Sequence, residues 1–126
     1  MRVLVVEDNP HSAELMVLRL ATLGCESLVA ASAEEGFTMA HTQRPDVILL
    51  DLKLDGDRDG GVALLGRLRE DPRTANIRVV IHSIYVAHPD EMPRLEHQAD
   101  GMLLKPFKFK DLKELIEGFR TPRPGA

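Results

Sequence analysis

The stretch Pro45-Asp46-Val47-Ile48-Leu49-Leu50-Asp51 decides the fold that we predict for this chain. Four aliphatic residues in a row are typical of a short strand that is buried on both faces of a sheet. In open α/β sheets, ligands bind at the carboxyl ends of the strands, and Asp51 follows this strand directly. Asp51 is therefore the first candidate for chemistry, and the alternative is that it only caps the following turn.

The composition indicates one ordinary folded domain. The chain has 126 residues, of which 44% are hydrophobic and 29% are charged, and its formal net charge is −4. This acidic balance argues against a nucleic-acid-binding patch, so we expect no direct contact with nucleic acid. The apolar start of the chain is too short for a signal peptide or a membrane span. The single cysteine, Cys25, excludes an intrachain disulfide and fits a reducing, cytoplasmic compartment.

Strand and helix patterns alternate five times along the chain. The predicted strands cover residues 3–6, 26–31, 47–50, 77–82 and 102–104. The predicted helices cover residues 11–23, 32–41, 61–71 and 108–119, with a late fourth helix that has Pro93 in its first turn. Five such units predict an α/β fold with an open, five-stranded parallel sheet. We assign residues 1–120 to one domain and residues 121–126 to a tail or a linker stub.

Polar side chains follow four of the five predicted strands. They are Glu7 and Asp8 after strand one, Asp51 after strand three, Ser83 after strand four and Lys105 after strand five. If the strand order is 2-1-3-4-5, strands one and three are neighbours, and three carboxylates converge in the crevice between them. Crowded carboxylates need a cation, and a site of oxygen ligands with room for water suits Mg²⁺.

This set of residues suits a phosphoryl group carried on a carboxylate. Asp51 would be the nucleophile, the metal would hold one phosphoryl oxygen, and Ser83 and Lys105 would contact the other two. Each residue also has a structural explanation. Glu7 and Asp8 can cap helix one, Ser83 can cap helix four, and Lys105 can face solvent at the end of a strand. The joint occurrence at four strand ends favours the functional interpretation.

From Arg2 to about Phe119, the chain resembles the receiver domain of two-component response regulators. The matching segments are VVEDN at 5–9, DVILLDL at 46–52, Ser83, and ADGMLLKPF at 99–107. The resemblance implies a flavodoxin-like (βα)5 three-layer sandwich with strand order 2-1-3-4-5. It also implies a regulatory, phosphorylatable domain rather than an enzyme.

The resemblance assigns roles to individual residues. Asp51 is the implied phosphoacceptor, Ser83 the switch hydroxyl and Lys105 the lysine that pairs with the phosphoryl group. The implied Mg²⁺ ligands are Glu7, Asp8, Asp51 and the backbone carbonyl of Lys53. The Lys105–Pro106 peptide bond is expected to be cis.

The resemblance also implies partners. A sensor histidine kinase or a histidine phosphotransfer protein would donate the phosphoryl group. A downstream protein target would contact the surface formed by helix four, strand five and helix five. A homodimer is a further option, and no membrane contact is expected.

Departures from the family pattern favour a second interpretation, a receiver-like interaction module that is rarely phosphorylated. Met102 stands where receivers usually carry an aromatic residue, Ile84 is bulky where a small residue is usual, and Asp55 replaces a common proline. A third interpretation is a phosphatase with an aspartate nucleophile. Such enzymes need a second aspartate two residues after Asp51, and Lys53 occupies that position.

Overall fold

The computed structural model describes residues 1–57, 60–83 and 92–120, and strands and helices alternate along them. The strands are β1 (Arg2–Val6), β2 (Glu26–Ala30), β3 (Val47–Leu50), β4 (Arg78–Ser83) and β5 (Gly101–Leu104). The helices are α1 (Pro10–Thr22), α2 (Ala33–Gln43), α3 (Gly60–Glu70), α4 (Met92–Gln98) and α5 (Phe109–Phe119). Within these ranges, none of the helices combines the length and apolar character that a membrane crossing needs.

The five strands form one parallel sheet with the order β2-β1-β3-β4-β5. Val5 of β1 stands opposite Val29 of β2 on one side and Leu49 of β3 on the other. The predicted fold class and strand order are therefore confirmed. Because the chain leaves β1 and β3 in opposite directions along the sheet, a crevice opens between their carboxyl ends.

Two hydrophobic clusters cover the two faces of the sheet. One cluster packs α2, α3 and α4 on the first face, and the other packs α1 and α5 on the second. All four residues of β3 are buried, which explains the unbroken aliphatic run of this strand. Strand β2 lies at an edge and is half exposed, in agreement with its polar start.

Local hydrogen bonds determine where the first two helices begin. Asn9 Oδ1 accepts the N–H groups of His11 at 3.0 Å and Ser12 at 3.1 Å, so Asn9 caps α1. Helix α1 therefore begins at Pro10, one residue before the predicted start, where a missing N–H has no cost. Ser32 caps α2 as predicted, because its Oγ accepts the N–H of Glu35 at 3.1 Å.

Strand β4 ends one residue later than the sequence predicted. Strand β4 continues through Ser83 instead of ending at His82, because Ser83 is paired with Leu104 of β5. Pro93 lies in the first turn of α4, as predicted. The other predicted ends coincide with the observed ones or differ from them by one or two residues, which is usual for such boundaries. Ile84 and the predicted tail at residues 121–126 lie outside the described residues.

Candidate functional site

The carboxyl ends of β1, β3 and β5 bring Glu7, Asp51 and Lys105 together. Lys105 Nζ lies 3.3 Å from Glu7 Oε1 and 3.5 Å from Asp51 Oδ2. Glu7 is only 3% exposed and Asp51 only 8% exposed, so water has little access to either carboxylate. Buried charges are stable when opposite charges and hydrogen bonds compensate them, and here one ammonium group faces two carboxylates.

Asp51 is positioned by its own backbone and by its neighbours. Its backbone N–H donates to the carbonyl of Val6 at 3.2 Å, and its Oδ1 accepts the N–H of Lys53 at 3.1 Å. Burial alone would raise the pKa of Asp51. A hydrogen bond from Glu7, the charge of Lys105 and the Lys53 N–H more than offset burial and hold that pKa below its usual value. Asp51 is therefore ionised and available as a nucleophile.

The pKa of Glu7 shifts in the opposite direction to that of Asp51. Burial, with a smaller contribution from the adjacent Asp51, raises the pKa of Glu7 to about 7, although Lys105 acts in the lowering direction. Once Glu7 is ionised, its buried Oε2 accepts no hydrogen bond from any described residue. The crevice then holds two negative charges against one positive charge, with one carboxylate oxygen left without a partner. A cation bound at this oxygen would correct both deficits.

Asp8 is exposed and is engaged by the loop after β3. Its Oδ2 accepts the N–H of Asp55 at 3.2 Å, and Asp55 itself has a φ of 58°. Asp55 Oδ2 in turn accepts the N–H of Ala33 at the start of α2, also at 3.2 Å. These contacts tie Asp8 to the β3–α3 loop and to α2.

In the described part of the chain, no three His, Cys, Asp or Glu side chains are arranged to hold a metal ion. The predicted convergence of three carboxylates is thus present only as the pair Glu7 and Asp51. The complete metal set, with Asp8 and the carbonyl of Lys53, stays a prediction.

Ser83 and Lys105 are adjacent at the same edge of the sheet. Ser83 is buried at the end of β4, and its carbonyl accepts the N–H of Lys105 at 2.9 Å. The Lys105–Pro106 peptide bond is cis, as predicted. Four of the predicted site residues, Glu7, Asp51, Ser83 and Lys105, therefore lie at the carboxyl ends of the four neighbouring strands β1, β3, β4 and β5.

His82 lies near the site but was not among the residues predicted from the sequence. This histidine of β4 is 1% exposed, and neither ring nitrogen has a hydrogen-bond partner among the described residues. Burial and the charge of Lys105 lower its pKa to about 4, whereas Asp51 acts in the opposite direction, so the imidazole is neutral at pH 7. The sequence feature that could have pointed to His82 is its position within an aliphatic run. It follows Val80 by two residues and therefore lies on the same buried face of the sheet.

Helix α3 approaches the site so closely that Gly61 has no room for a side chain. A Cβ atom at this position would collide with the carbonyl oxygen of Asp51 and the Cα of Leu52. The N–H of Gly61 also donates to the carbonyl of Leu52 at 2.7 Å. The start of α3 is thereby fixed against the backbone that carries Asp51.

Comparisons with known proteins give one consistent family. Residues 3–117 match the family model described as the response regulator receiver domain. The DNA-binding dual master transcriptional regulator RpaA of Synechocystis sp. is 31% identical over 120 residues, which cover 95% of this chain and 48% of RpaA. The DNA-binding response regulator MtrA of Mycolicibacterium smegmatis is 33% identical over 111 residues, which cover 88% of this chain and 46% of MtrA. The chain thus spans about half the length of these relatives.

Solved structures agree with this result. The signal receiver domain of a DNA-binding response regulator from Colwellia psychrerythraea superposes with a TM-score of 0.83 at 26% identity, covering 95% of this chain and 98% of that one. TrrA from Thermotoga maritima, solved in complex with Mg²⁺ and BeF, has a TM-score of 0.79 at 26% identity, covering 94% and 97%. The expectation of no contact with nucleic acid gains no support from relatives that are named as DNA-binding.

Proposed function

This chain belongs to the response regulator receiver domain family, and we propose that it accepts a phosphoryl group on Asp51 from a sensor histidine kinase or a histidine phosphotransfer protein. The observation that carries the proposal is the position of Lys105 Nζ, 3.3 Å from Glu7 and 3.5 Å from Asp51. An ionised carboxylate next to a fixed ammonium group is the arrangement that phosphoryl transfer to a carboxylate requires. The proposed role is regulatory, with residues 1–120 as the receiver domain, and the family implies a cytoplasmic location.

The proposed reaction is an in-line displacement at phosphorus. One carboxylate oxygen of Asp51 forms a bond to phosphorus, and the bond to the donor imidazole nitrogen breaks, with its electron pair leaving on that nitrogen. Lys105 compensates the negative charge of the transferred group, and the hydroxyl of Ser83 donates a hydrogen bond to one of its oxygens. Most of the catalysis is then positioning and charge compensation, which buried and fixed groups do well.

The residues of the crevice fit a divalent cation. Two carboxylates face one ammonium group, and Glu7 Oε2 is buried without a partner among the described residues. Glu7 and Asp51 would hold Mg²⁺ with Asp8 and the carbonyl of Lys53, once Asp8 is released from the N–H of Asp55. The complex of TrrA with Mg²⁺ and BeF supports this choice of metal. Bound Mg²⁺ would supply charge neutralisation for the phosphoryl group.

The proposed output is a change on the surface formed by α4, β5 and α5. Leu104 at the end of β5 is 52% exposed and Phe109 at the start of α5 is 40% exposed, so this surface carries apolar side chains that a protein partner could cover. Movement of Ser83 towards a phosphoryl group on Asp51 would be transmitted to β5 through the hydrogen bond between Ser83 and Lys105. The partner would be a downstream protein or a second copy, and the names of the relatives support a DNA-binding regulator as one output.

The test is incubation with Mg²⁺ and acetyl phosphate, followed by intact-mass measurement. We expect a gain of one phosphoryl group that is stable in acid and labile in base, in wild type but not in Asp51→Asn. Asp46→Asn is the matched control, because Asp46 precedes the same strand and its Oδ2 accepts the N–H of Arg2 at the opposite end of the sheet. A wild-type protein without the adduct, or an adduct that persists in Asp51→Asn, would contradict the proposal.

The second candidate is a receiver-like interaction module that is seldom phosphorylated. The engagement of Asp8 by the N–H of Asp55 favours it, because this contact withholds one of the proposed metal ligands. Bulky Ile84, which follows Ser83 in the sequence, adds a steric argument. The adduct yields of wild type and Ile84→Ala distinguish the candidates. Equal and rapid modification of both proteins would contradict this second candidate.

A further inference from the structure

A small cavity lies between α1 and the turn that joins β5 to α5, on the face of the sheet opposite to α3. Its volume is about 210 Å³, and its lining includes Ser12, Leu15, Met16, Arg19, His82 and Phe107. Lys105 and Pro106 complete the lining, and none of these residues is acidic. An apolar cavity of about 150 Å³ is known to bind benzene, so this space is sufficient for a single-ring compound with one small substituent.

His82 gives the cavity an unsatisfied polar group. The side chain is 1% exposed, and neither ring nitrogen meets a hydrogen-bond partner in residues 1–57, 60–83 or 92–120. A buried imidazole without partners is costly, because its dipole has lost water and gained nothing in exchange. A ligand in the cavity could accept the N–H of His82 and remove this cost.

Arg19 gives the same cavity an uncompensated positive charge. Its guanidinium group lies 5.4 Å from the centre of the Phe107 ring, a favourable stacking contact. Among the described residues it forms no ion pair, in contrast to Lys105, whose ammonium group faces Glu7 and Asp51. A guanidinium group stacked on a ring is well placed to bind a carboxylate through two parallel N–H groups.

We propose that this cavity binds a small aromatic carboxylate, a compound of the size and charge of benzoate. The ring would lie between Met16 and Phe107, the carboxylate would pair with Arg19, and one of its oxygens would also accept the N–H of His82. The inference does not depend on phosphorylation of Asp51, because the binding is expected in the unphosphorylated protein and without divalent cations.

The test is a titration of ¹⁵N-labelled protein with benzoate, followed by amide NMR shifts. We expect saturable shifts in α1 and in the β5–α5 turn, and a roughly tenfold loss of affinity in Arg19→Gln, because a charge-assisted pair is removed. Benzyl alcohol, which has the same ring without the charge, should bind about as weakly to wild type as benzoate binds to Arg19→Gln. Arg78→Gln is the matched control, since Arg78 also stacks on a phenylalanine, 4.8 Å from the ring of Phe119 and outside this cavity.

A second variant tests the buried group. His82→Leu keeps the approximate volume and should also weaken benzoate about tenfold, and its thermal unfolding shows whether the fold is intact. If His82→Leu does not fold, the benzoate affinity of Arg19→Gln still decides the question. Absence of saturable shifts up to about 10 mM benzoate would overturn the proposal. Unchanged affinity in Arg19→Gln, or shifts confined to the residues around Asp51, would do the same.

Discussion

Glu7 and Asp51 carry the same functional group, and yet their pKa values shift in opposite directions. Asp51 receives the N–H of Lys53 and the charge of Lys105, so it keeps its negative charge despite partial burial. Glu7 is buried more deeply and shares the same ammonium group, and its pKa rises to about 7. Near neutral pH, the crevice thus combines the ionised carboxylate of Asp51 with a carboxyl group, Glu7, that gains or loses a proton easily.

Replacement of His82 by leucine should make the fold less sensitive to acid. The pKa of His82 is about 4 in the folded protein and 6.5 for an ordinary histidine, so the unfolded state binds more protons between these values. The stabilisation that neutral His82 provides is fully present above pH 6.5. It decreases as the pH falls below that value and is lost as the pH falls through 4. The loss amounts to about 3 kcal/mol of the free energy of unfolding. Urea denaturation across this pH range measures it.

Two charged groups next to His82 bear on this prediction. The charge of Lys105 lowers the pKa of His82, and the charge of Asp51 raises it. His11→Gln is the control, because His11 is exposed at the start of α1 and should leave the pH dependence of wild type unchanged. If His82→Leu shows the same slope of stability against pH as wild type, burial of the neutral imidazole is not the cause of acid sensitivity.

At the scale of the elements, Arg69 joins helix α3 to the starts of two strands. Its guanidinium group donates to the carbonyls of Gln98, Ala75 and Ile77 at 2.7 to 2.9 Å and to Asp100 Oδ2 at 3.0 Å. Arg69→Met should lower the free energy of unfolding by about 2–4 kcal/mol, because these acceptors lose their donor in a partly buried position. Urea denaturation at neutral pH is the measurement.

Arg67 of the same helix provides the control for Arg69. It pairs with Glu34 at 2.9 Å and stacks over the ring of Phe37, but the two charged side chains of this pair are 43% and 74% exposed. Exposed ion pairs contribute little, so Arg67→Met should cost less than about 1 kcal/mol. A similar loss in the two variants would mean that the hydrogen bonds of Arg69 do not hold α3 to the strands.

Two glycines of α3 should respond in opposite ways to alanine. Gly61→Ala should destabilise the protein by about 2 kcal/mol or more, because the added Cβ would meet the backbone of Asp51 and Leu52. Gly66→Ala should stabilise it by about 0.5–1 kcal/mol, because nothing lies within 4 Å of the new atom and alanine favours helix. Thermal unfolding of both variants is sufficient, and shifts of the same sign would contradict the proposed contact.

The elements themselves could be predicted from the sequence more reliably than their ends. The aliphatic run at 47–50 predicted both ends of β3 correctly, because a completely buried strand contains only aliphatic residues here. The end of β4 was predicted one residue too early, because Ser83 is polar and its place in the strand depends on pairing with Leu104. Pairing with a distant strand leaves no signal in the local sequence, whereas a cap such as Ser32 does.

At the scale of the whole molecule, the strand order determines which residues can meet. Glu7 and Lys105 are separated by 98 positions in the chain and lie in contact because β1, β3, β4 and β5 are neighbours in the sheet. The strand order that the family resemblance implied, together with the rule that ligands bind at the carboxyl ends of such strands, was therefore enough to predict this part of the site. The contact between Asp8 and Asp55 and the cavity at His82 could not be predicted, because they depend on how loops and α1 pack on the finished sheet.

Removal of Mg²⁺ should reduce stability in a way that depends on pH. As the proposed ligand of Mg²⁺, Glu7 must lose its proton before it binds the cation, and its pKa is raised to about 7, so binding below that pH competes with a proton. At about one pH unit above the pKa of Glu7, Mg²⁺ at about 100 times its dissociation constant should raise the free energy of unfolding by about 2.7 kcal/mol. At about one pH unit below that pKa, the same concentration should raise it by less. Thermal unfolding with Mg²⁺ and with a chelator measures the difference. Glu7→Gln has no proton to lose there and should abolish the pH dependence, whereas an unchanged dependence in this variant would exclude Glu7 as the controlling ligand.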